Sequence, residues 1–154
     1  MAMPQVGQPA PDFSLQTDAG ETARLSDLRG RPVVLFFYPE ADTPNCTVEA
    51  CGFRDDLKDF RELGIAVFGI SPDGVEKQAA FGRKFGLTYP LLADADHRVA
   101  EAYGVWQLKK GLDAEYMGVL RTTFVVDPQG LVSHVYERVQ AEGHSREVLQ
   151  ALRP

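Results

Sequence analysis

Two cysteines, Cys46 and Cys51, are the most reactive nucleophiles in this sequence of 154 residues. Thr43 and Pro44 precede them, at the end of a polar loop that begins at Pro39. Threonine is a good N-cap and proline suits the first helical position, so a helix is predicted to begin here with Cys46 in its first turn. Unpaired backbone N–H groups and the helix dipole stabilise negative charge in that turn. Cys46 is therefore predicted to act as a thiolate nucleophile, because the thiolate and not the thiol attacks electrophiles.

Cys51 lies five residues beyond Cys46, and this spacing limits how the two thiols can react with each other. On an ideal helix, five residues give a rise of about 7.5 Å and a rotation of about 140° beyond one full turn. We estimate the two Cα atoms at roughly 8–9 Å apart, beyond the ~7 Å that a disulfide bridges without backbone movement. A disulfide between them therefore requires the start of the helix to unwind. Taken alone, Cys51 also fits a core residue on the apolar side of that helix.

The elements that position this loop and helix are predicted from hydrophobic patterning. Residues 32–38 form an unbroken apolar run, which is typical of a central strand buried on both faces. Residues 43–63 have helical character, with Phe53, Leu57 and Phe60 on one apolar stripe. The cysteines then follow the carboxyl end of a central strand, which is where open α/β sheets place their sites.

The rest of the chain continues this alternation of strands and helices. This alternation predicts an α/β fold, arranged as a three-layer α/β/α sandwich. One domain is predicted over residues 1–154. The order of the elements resembles a thioredoxin-like fold with an N-terminal β-hairpin and an inserted segment. Further strands are predicted at residues 12–15, 21–25, 65–70, 89–92, 121–126 and 131–136. A single helical turn is predicted at residues 26–30. Further helices are predicted from the turn at residues 71–74 through residue 85, at residues 96–103 and at residues 145–152.

The composition disfavours several other classes of protein. Hydrophobic residues make up 44% and charged residues 25% of the chain, which are globular values. The net charge is −6 and the basic residues are scattered, so a nucleic-acid partner is not expected. The longest apolar run, residues 33–38, is too short for a membrane span, and the N-terminus does not resemble a secretory signal. We therefore expect a cytoplasmic protein without membrane contact, in which a disulfide is transient rather than structural.

The histidine and aspartate residues do not suggest a metal site. His97, His144, Asp94 and Asp96 match no metal-ligand spacing, and caps and turns are the expected roles of all four. No metal and no organic cofactor is therefore expected.

The cysteine segment, residues 39–51 with the sequence PEADTPNCTVEAC, resembles the active-site signature of peroxiredoxins. That signature is a proline, three residues, a threonine, two residues and then the peroxidatic cysteine. The second cysteine resembles the bacterioferritin-comigratory or Q-type subgroup, which has its resolving cysteine five residues on. The resemblance covers nearly the whole chain and continues at residues 103–106, 116–118, 121–127 and 143–144.

The resemblance implies reduction of hydrogen peroxide and organic hydroperoxides. Cys46 is implied to become a sulfenic acid, and Cys51 to condense with it to an intramolecular disulfide that thioredoxin or a similar dithiol reduces. Pro39, Thr43 and Arg121 are implied to shape the pocket, with Arg121 hydrogen-bonding the thiolate and the peroxide. Since the resolving cysteine is in the same chain, we expect a monomer.

Several pocket residues retain simpler interpretations from the sequence alone. Glu49 matches a position that orients arginines in the family, and it also fits a solvated helix residue. Arg121 equally fits a surface arginine at the start of a strand. The Thr43 hydroxyl is expected to donate a hydrogen bond to the sulfur or to a peroxide oxygen. Asn45 and Val48 depart from the residues that many relatives have, and neither departure alters a catalytic role.

Two other functions use the same pair of cysteines. A thioredoxin-like disulfide oxidoreductase usually has its cysteines two residues apart, where they bridge without unwinding, so the five-residue spacing argues against it. A peroxide-responsive redox sensor would need the same residues as an enzyme. Continuous peroxide consumption with a reductant distinguishes the enzyme, because a sensor oxidises only once.

Overall fold

A computed structural model describes residues 2–154 of the chain. They form nine strands and four α-helices, with a short 3-10 helix at Leu25–Leu28. In chain order the elements are β1 (Ser14–Thr17), β2 (Thr22–Arg24), β3 (Val33–Phe37), α1 (Pro44–Glu62), β4 (Ala66–Ser71), α2 (Val75–Phe85), β5 (Leu91–Ala93), α3 (Arg98–Ala102), β6 (Trp106–Lys110), β7 (Glu115–Val119), β8 (Thr122–Val126), β9 (Val132–Glu137) and α4 (His144–Leu152).

Seven strands form the central sheet in the order β2-β1-β5-β4-β3-β8-β9. β3 lies between β4, which runs parallel to it, and β8, which runs antiparallel, and all five of its residues are buried. This is the environment that an unbroken apolar run predicts. The antiparallel pair β1 and β2 is the predicted N-terminal hairpin, and β8 and β9 form the other predicted hairpin.

Alternate residues of β3 face two separate cores. Val33, Leu35 and Phe37 join a core that includes residues of α3, whereas Val34 and Phe36 join a core that includes residues of α1, α2 and α4. Helices therefore cover both faces of the sheet, and the predicted three-layer α/β/α arrangement with an N-terminal hairpin is confirmed. No helix within residues 2–154 is both long and apolar enough to cross a membrane.

The hairpin of β6 and β7 was not predicted from the sequence. The two strands pair only with each other and form a second, two-stranded sheet. Most of their residues are exposed or half-buried, so they lack the apolar alternation that indicates a strand packed on a core. No strand or helix was predicted between residues 104 and 120.

Candidate active site

The loop at residues 38–43 leads from β3 to α1 and places Cys46 in the first turn of the helix. α1 begins at Pro44, as predicted, and Cys46 is its third residue. The Cys46 side chain is buried, with 1% of its surface exposed, and both cysteines are free thiols. Cys46 thus lies among the first backbone N–H groups of a helix of 19 residues, where negative charge is stabilised.

Thr43 occupies the N-cap position, but its hydroxyl does not cap the helix. The hydroxyl donates a 2.8 Å hydrogen bond to the carbonyl oxygen of Glu40, and so it does not donate to the sulfur as the sequence analysis expected. The backbone carbonyl of Thr43 accepts the N–H of Thr47 at 2.9 Å and starts the helical bonding. The hydroxyl proton is used in the hydrogen bond to Glu40, and the hydroxyl oxygen can still accept a hydrogen bond.

Arg121 brings together two groups of α1 that are far from it in the sequence. Its Nη1 donates to Glu49 Oε1 at 2.7 Å and its Nη2 donates to Cys46 Sγ at 3.3 Å. The register of the sheet explains this, because Thr122 pairs with Phe37 and so the residue before β8 lies beside the end of β3. Only 13% of the Arg121 side chain is exposed, so the interpretation as an ordinary surface arginine is wrong.

Glu49 is buried beneath Arg121, and the interpretation as a solvated helix residue is wrong. None of its side-chain surface is exposed, and its Oε2 has no hydrogen-bond partner among the described residues. Burial raises the pKa of Glu49 to about 7, although the guanidinium of Arg121 opposes this shift. The carboxyl group therefore changes its charge near neutral pH.

This raised pKa predicts that stability depends on pH. The folded protein binds the Glu49 proton more tightly than the unfolded chain, whose carboxyl group has the ordinary pKa of 4.5. The contribution to the free energy of unfolding is thus greatest below pH 4.5 and is lost as the pH rises to about 7. Relative to Glu49→Gln, the reduced wild type should lose about 2–3 kcal/mol between roughly pH 5 and pH 8 in urea unfolding. A constant difference would contradict the prediction.

Asp73 holds the loop that precedes Cys46. Its Oδ2 accepts the backbone N–H of Ala41 at 2.8 Å and the hydroxyl of Ser71 at 2.7 Å. Lys77 adds ion pairs to Glu40 at 2.7 Å and to Asp73 at 3.2 Å. From the sequence, residues 71–74 were predicted only as a turn that starts a helix. The sequence feature that could have identified Asp73 is its place just past the carboxyl end of a buried strand, at the same edge of the sheet as the cysteines.

Pro39 and Cys51 are the other two predicted site residues, and both are half-buried. Pro39 is half-buried in the loop after β3. Cys51 is half-buried on α1, which is intact through both cysteines, so the structure represents the state before any disulfide forms. The predicted apolar stripe is confirmed, because Phe53 and Phe60 are fully buried and the ring of Phe53 stacks on that of Phe36 with centroids 4.5 Å apart.

The histidine and aspartate residues considered for a metal make other contacts. Asp94 accepts the backbone N–H groups of Val99 and Ala100 at the start of α3. A ring nitrogen of His144 lies 2.7 Å from the Thr123 hydroxyl oxygen. Within residues 2–154, no three histidine, cysteine, aspartate or glutamate side chains are grouped as a metal site requires.

Comparison with known proteins identifies close relatives over almost the whole chain. The AhpC/TSA family model matches residues 6–135. Peroxiredoxin Bcp of Bacillus subtilis is 46% identical over 149 residues, covering 97% of this chain and 95% of the relative. Peroxiredoxin Bcp of Escherichia coli is 40% identical, with coverage of 97% and 96%.

Solved structures give the same result for the fold. Peroxiredoxin Q of Xanthomonas campestris has a TM-score of 0.90 and 31% identity, covering 96% of each chain. Peroxidoxin BcpB of Mycobacterium tuberculosis has a TM-score of 0.84 and 42% identity, covering 98% of this chain and 99% of the other. The thioredoxin-like arrangement that the order of elements resembles is therefore shared by these proteins.

Proposed function

The chain belongs to the AhpC/TSA family as a peroxiredoxin of the Bcp type, and from this premise we propose that Cys46 attacks the peroxide and Cys51 resolves the product. The chain is a thiol peroxidase, as its cysteine segment predicted. The single observation that carries the assignment of Cys46 is the 3.3 Å contact of its sulfur with Arg121. Within residues 2–154, no cationic side chain donates a hydrogen bond to Cys51.

In the first step, the Cys46 thiolate attacks the terminal oxygen of the hydroperoxide. A sulfur–oxygen bond forms, the oxygen–oxygen bond breaks, and the leaving oxygen takes the electron pair. Arg121 and the first N–H groups of α1 are preset donors beside this reaction, and preset donors stabilise the charge that develops in the transition state. Pro39 and Thr43 lie in the loop before α1, and we propose that they border the peroxide pocket.

In the second step, Cys51 condenses with the sulfenic acid of Cys46 and releases water. Both residues lie on the intact helix α1, at the separation that a disulfide does not bridge without backbone movement. The start of α1 must therefore unwind before the bond closes. Glu49 orients the guanidinium of Arg121 in the folded state, through their 2.7 Å ion pair.

The proposed substrates are hydrogen peroxide and organic hydroperoxides. A Xanthomonas campestris relative, 30% identical over 96% of this chain, is described as reducing alkyl peroxides. Thioredoxin or a similar dithiol is the proposed reductant, acting on a monomer in the cytoplasm, where a reducing environment keeps the disulfide transient. The proposed reaction uses only sulfur chemistry, without a metal or an organic cofactor.

Mass spectrometry after one equivalent of hydrogen peroxide tests the assignment. The wild type should lose two hydrogens as the disulfide forms, whereas Cys51→Ser should retain a sulfenic acid on Cys46. Cys46→Ser is the matched control and should leave Cys51 unoxidised. If Cys51 is oxidised to a sulfenic acid in Cys46→Ser while Cys46 stays unoxidised in Cys51→Ser, the two roles are reversed. Repeated turnover with a dithiol then separates the enzyme from a sensor that oxidises once.

A further inference from the structure

Within the described part of the chain, the carboxyl group of Glu49 has an unpaired buried oxygen, which a role in orienting Arg121 does not explain. One oxygen accepts the Arg121 guanidinium at 2.7 Å, and the other is buried with no hydrogen-bond partner among residues 2–154. An ionised carboxylate with an unpaired buried oxygen is unfavourable, and protonation relieves that cost. Consistent with this, burial raises the pKa of Glu49 to about 7. The carboxyl group can therefore carry a proton near neutral pH.

Charge balance in the cluster favours that proton while Cys46 is ionised. The two terminal nitrogens of one guanidinium contact both acids, Cys46 at 3.3 Å and Glu49 at 2.7 Å. The negative charge of the Cys46 thiolate balances the single positive charge of Arg121. An ionised Glu49 would then be a second buried anion on the same cation, without a positive charge of its own to balance it. A proton on Glu49 removes that second charge and leaves one anion beside one cation.

Three neighbouring titratable groups, Lys109, Tyr89 and His144, interact with members of this cluster. Lys109 of β6 interacts with Arg121 and Cys46, and its ammonium donates to the Val119 carbonyl at 2.8 Å. Burial lowers its pKa, and Arg121 lowers it further. Burial raises the pKa of Tyr89 well above its ordinary value and lowers the pKa of His144, so both stay neutral near pH 7. Among residues 2–154, the charged group that shifts the pKa of Glu49 is Arg121, which lowers it.

We propose that Glu49 stores the proton that the leaving oxygen takes up when Cys46 cleaves the hydroperoxide. This inference rests on the proposed function above, with Cys46 as the attacking residue. The thiolate and the hydroperoxide ROOH give the sulfenic acid and the alkoxide RO⁻, which receives the two electrons of the broken bond. The protonated carboxyl of Glu49 then converts RO⁻ to ROH, directly or through one water, and becomes a carboxylate.

The charges of the cluster make this transfer favourable in the forward direction. The sulfenic acid is neutral, so after the step Arg121 has Glu49 as its only anionic partner. Before the reaction the thiolate shares the guanidinium with Glu49 and offsets its pull on the carboxylate. Once the thiolate is gone, the guanidinium acts on Glu49 alone and favours the carboxylate. When the dithiol later reduces the disulfide, Cys46 becomes a thiolate again and the carboxyl group regains its proton.

Oxidants that differ in their leaving group test the proposal. Hydroxide is a poor leaving group, since the pKa of water is about 15.7. Acetate, the leaving group of peracetic acid, needs no proton, because a carboxylic acid has a pKa of about 4. In a Cys51→Ser background, Glu49→Gln should slow oxidation of Cys46 by hydrogen peroxide roughly 10²–10⁴-fold, the usual contribution of a general acid. Its effect with peracetic acid should be at least about tenfold smaller.

Arg121→Lys is the matched control, because it weakens the bridge without removing a group that holds a proton. It should slow both oxidants by similar factors. If Glu49→Gln also slows both by the same factor, Glu49 only positions Arg121 and the inference is overturned. That result leaves the proposed function intact, because a sulfenic acid still forms on Cys46 in the Cys51→Ser protein.

A measurement on the wild type avoids any folding defect of the variant. The ratio of the oxidation rates with hydrogen peroxide and with peracetic acid cancels the ionisation of Cys46, which is common to both. This ratio should fall as the pH rises through about 7 and Glu49 loses its proton, over the range in which the peracid stays protonated. A ratio that is constant with pH would overturn the inference.

Discussion

Arg121→Met should slow the oxidation of Cys46 by hydrogen peroxide at least roughly 10²–10³-fold, the range found when one donor to a developing charge is removed. The guanidinium contacts the sulfur at 3.3 Å and is only 13% exposed, so water does not readily replace it. Its loss also leaves Glu49 buried without a cation. The rate is measured in the Cys51→Ser background, where only the first step contributes.

Two variants show whether the loss comes from this contact. Arg83→Met makes the same change at an exposed position of α2 and should leave the rate unchanged. Arg121→Lys keeps a charge, but a single ammonium does not reproduce the planar fork that contacts Cys46 and Glu49 together, so its rate should lie between those of Arg121→Met and the wild type. A wild-type rate in Arg121→Met would show that the first turn of α1 activates the sulfur by itself.

Local patterns in the sequence were sufficient to predict the framework of the site. The apolar run at residues 33–38 identified β3, and the threonine and proline before Cys46 identified the start of α1. Both signals are short-range, because burial and helix capping act over a few residues. The same kind of signal failed for β6 and β7, which pair mainly with each other and face solvent.

The contacts of the site required the tertiary structure. Arg121 lies 75 residues from Cys46 in the sequence, and only the pairing of β8 with β3 brings them together. Glu49 has the sequence context of a solvated helix residue. Its burial depends on a contact with Arg121, which is distant in the sequence. Asp73 was missed because a turn residue and a loop anchor have the same sequence signature until the partner, Ala41, is located.

Formation of the disulfide should remove hydrogen-exchange protection from the start of α1. The amides of residues 47–52 are protected by helical bonds in the reduced protein, and closing the disulfide breaks those bonds. Exchange there should accelerate by roughly 10²-fold or more, because local opening then costs almost no free energy. Amide exchange followed by mass spectrometry, on reduced protein and on the disulfide form, measures the change.

Unwinding should stop near Gly52, because the following residues are anchored to the core and to α4. Phe53 is fully buried against Phe36, and the Asp56 carboxylate accepts the Ser145 hydroxyl at 2.7 Å. Releasing Phe53 would expose a large aromatic side chain, which costs about 1.5–3 kcal/mol in lost burial alone. Residues 53–62 should therefore keep their protection in the disulfide form, so the change has a sharp boundary within one helix.

The sulfenic acid form of Cys51→Ser is the matched control for this boundary. It is oxidised at Cys46 but has no second thiol, so no covalent bond pulls the first turns of α1 apart. Its exchange should resemble that of the reduced protein, which separates the effect of the disulfide from that of oxidation itself. Equal protection of residues 43–53 in the reduced and disulfide forms would mean that the two sulfurs meet on an intact helix. The geometry of an α-helix does not allow that, because it keeps the two Cα atoms beyond the ~7 Å that a disulfide spans.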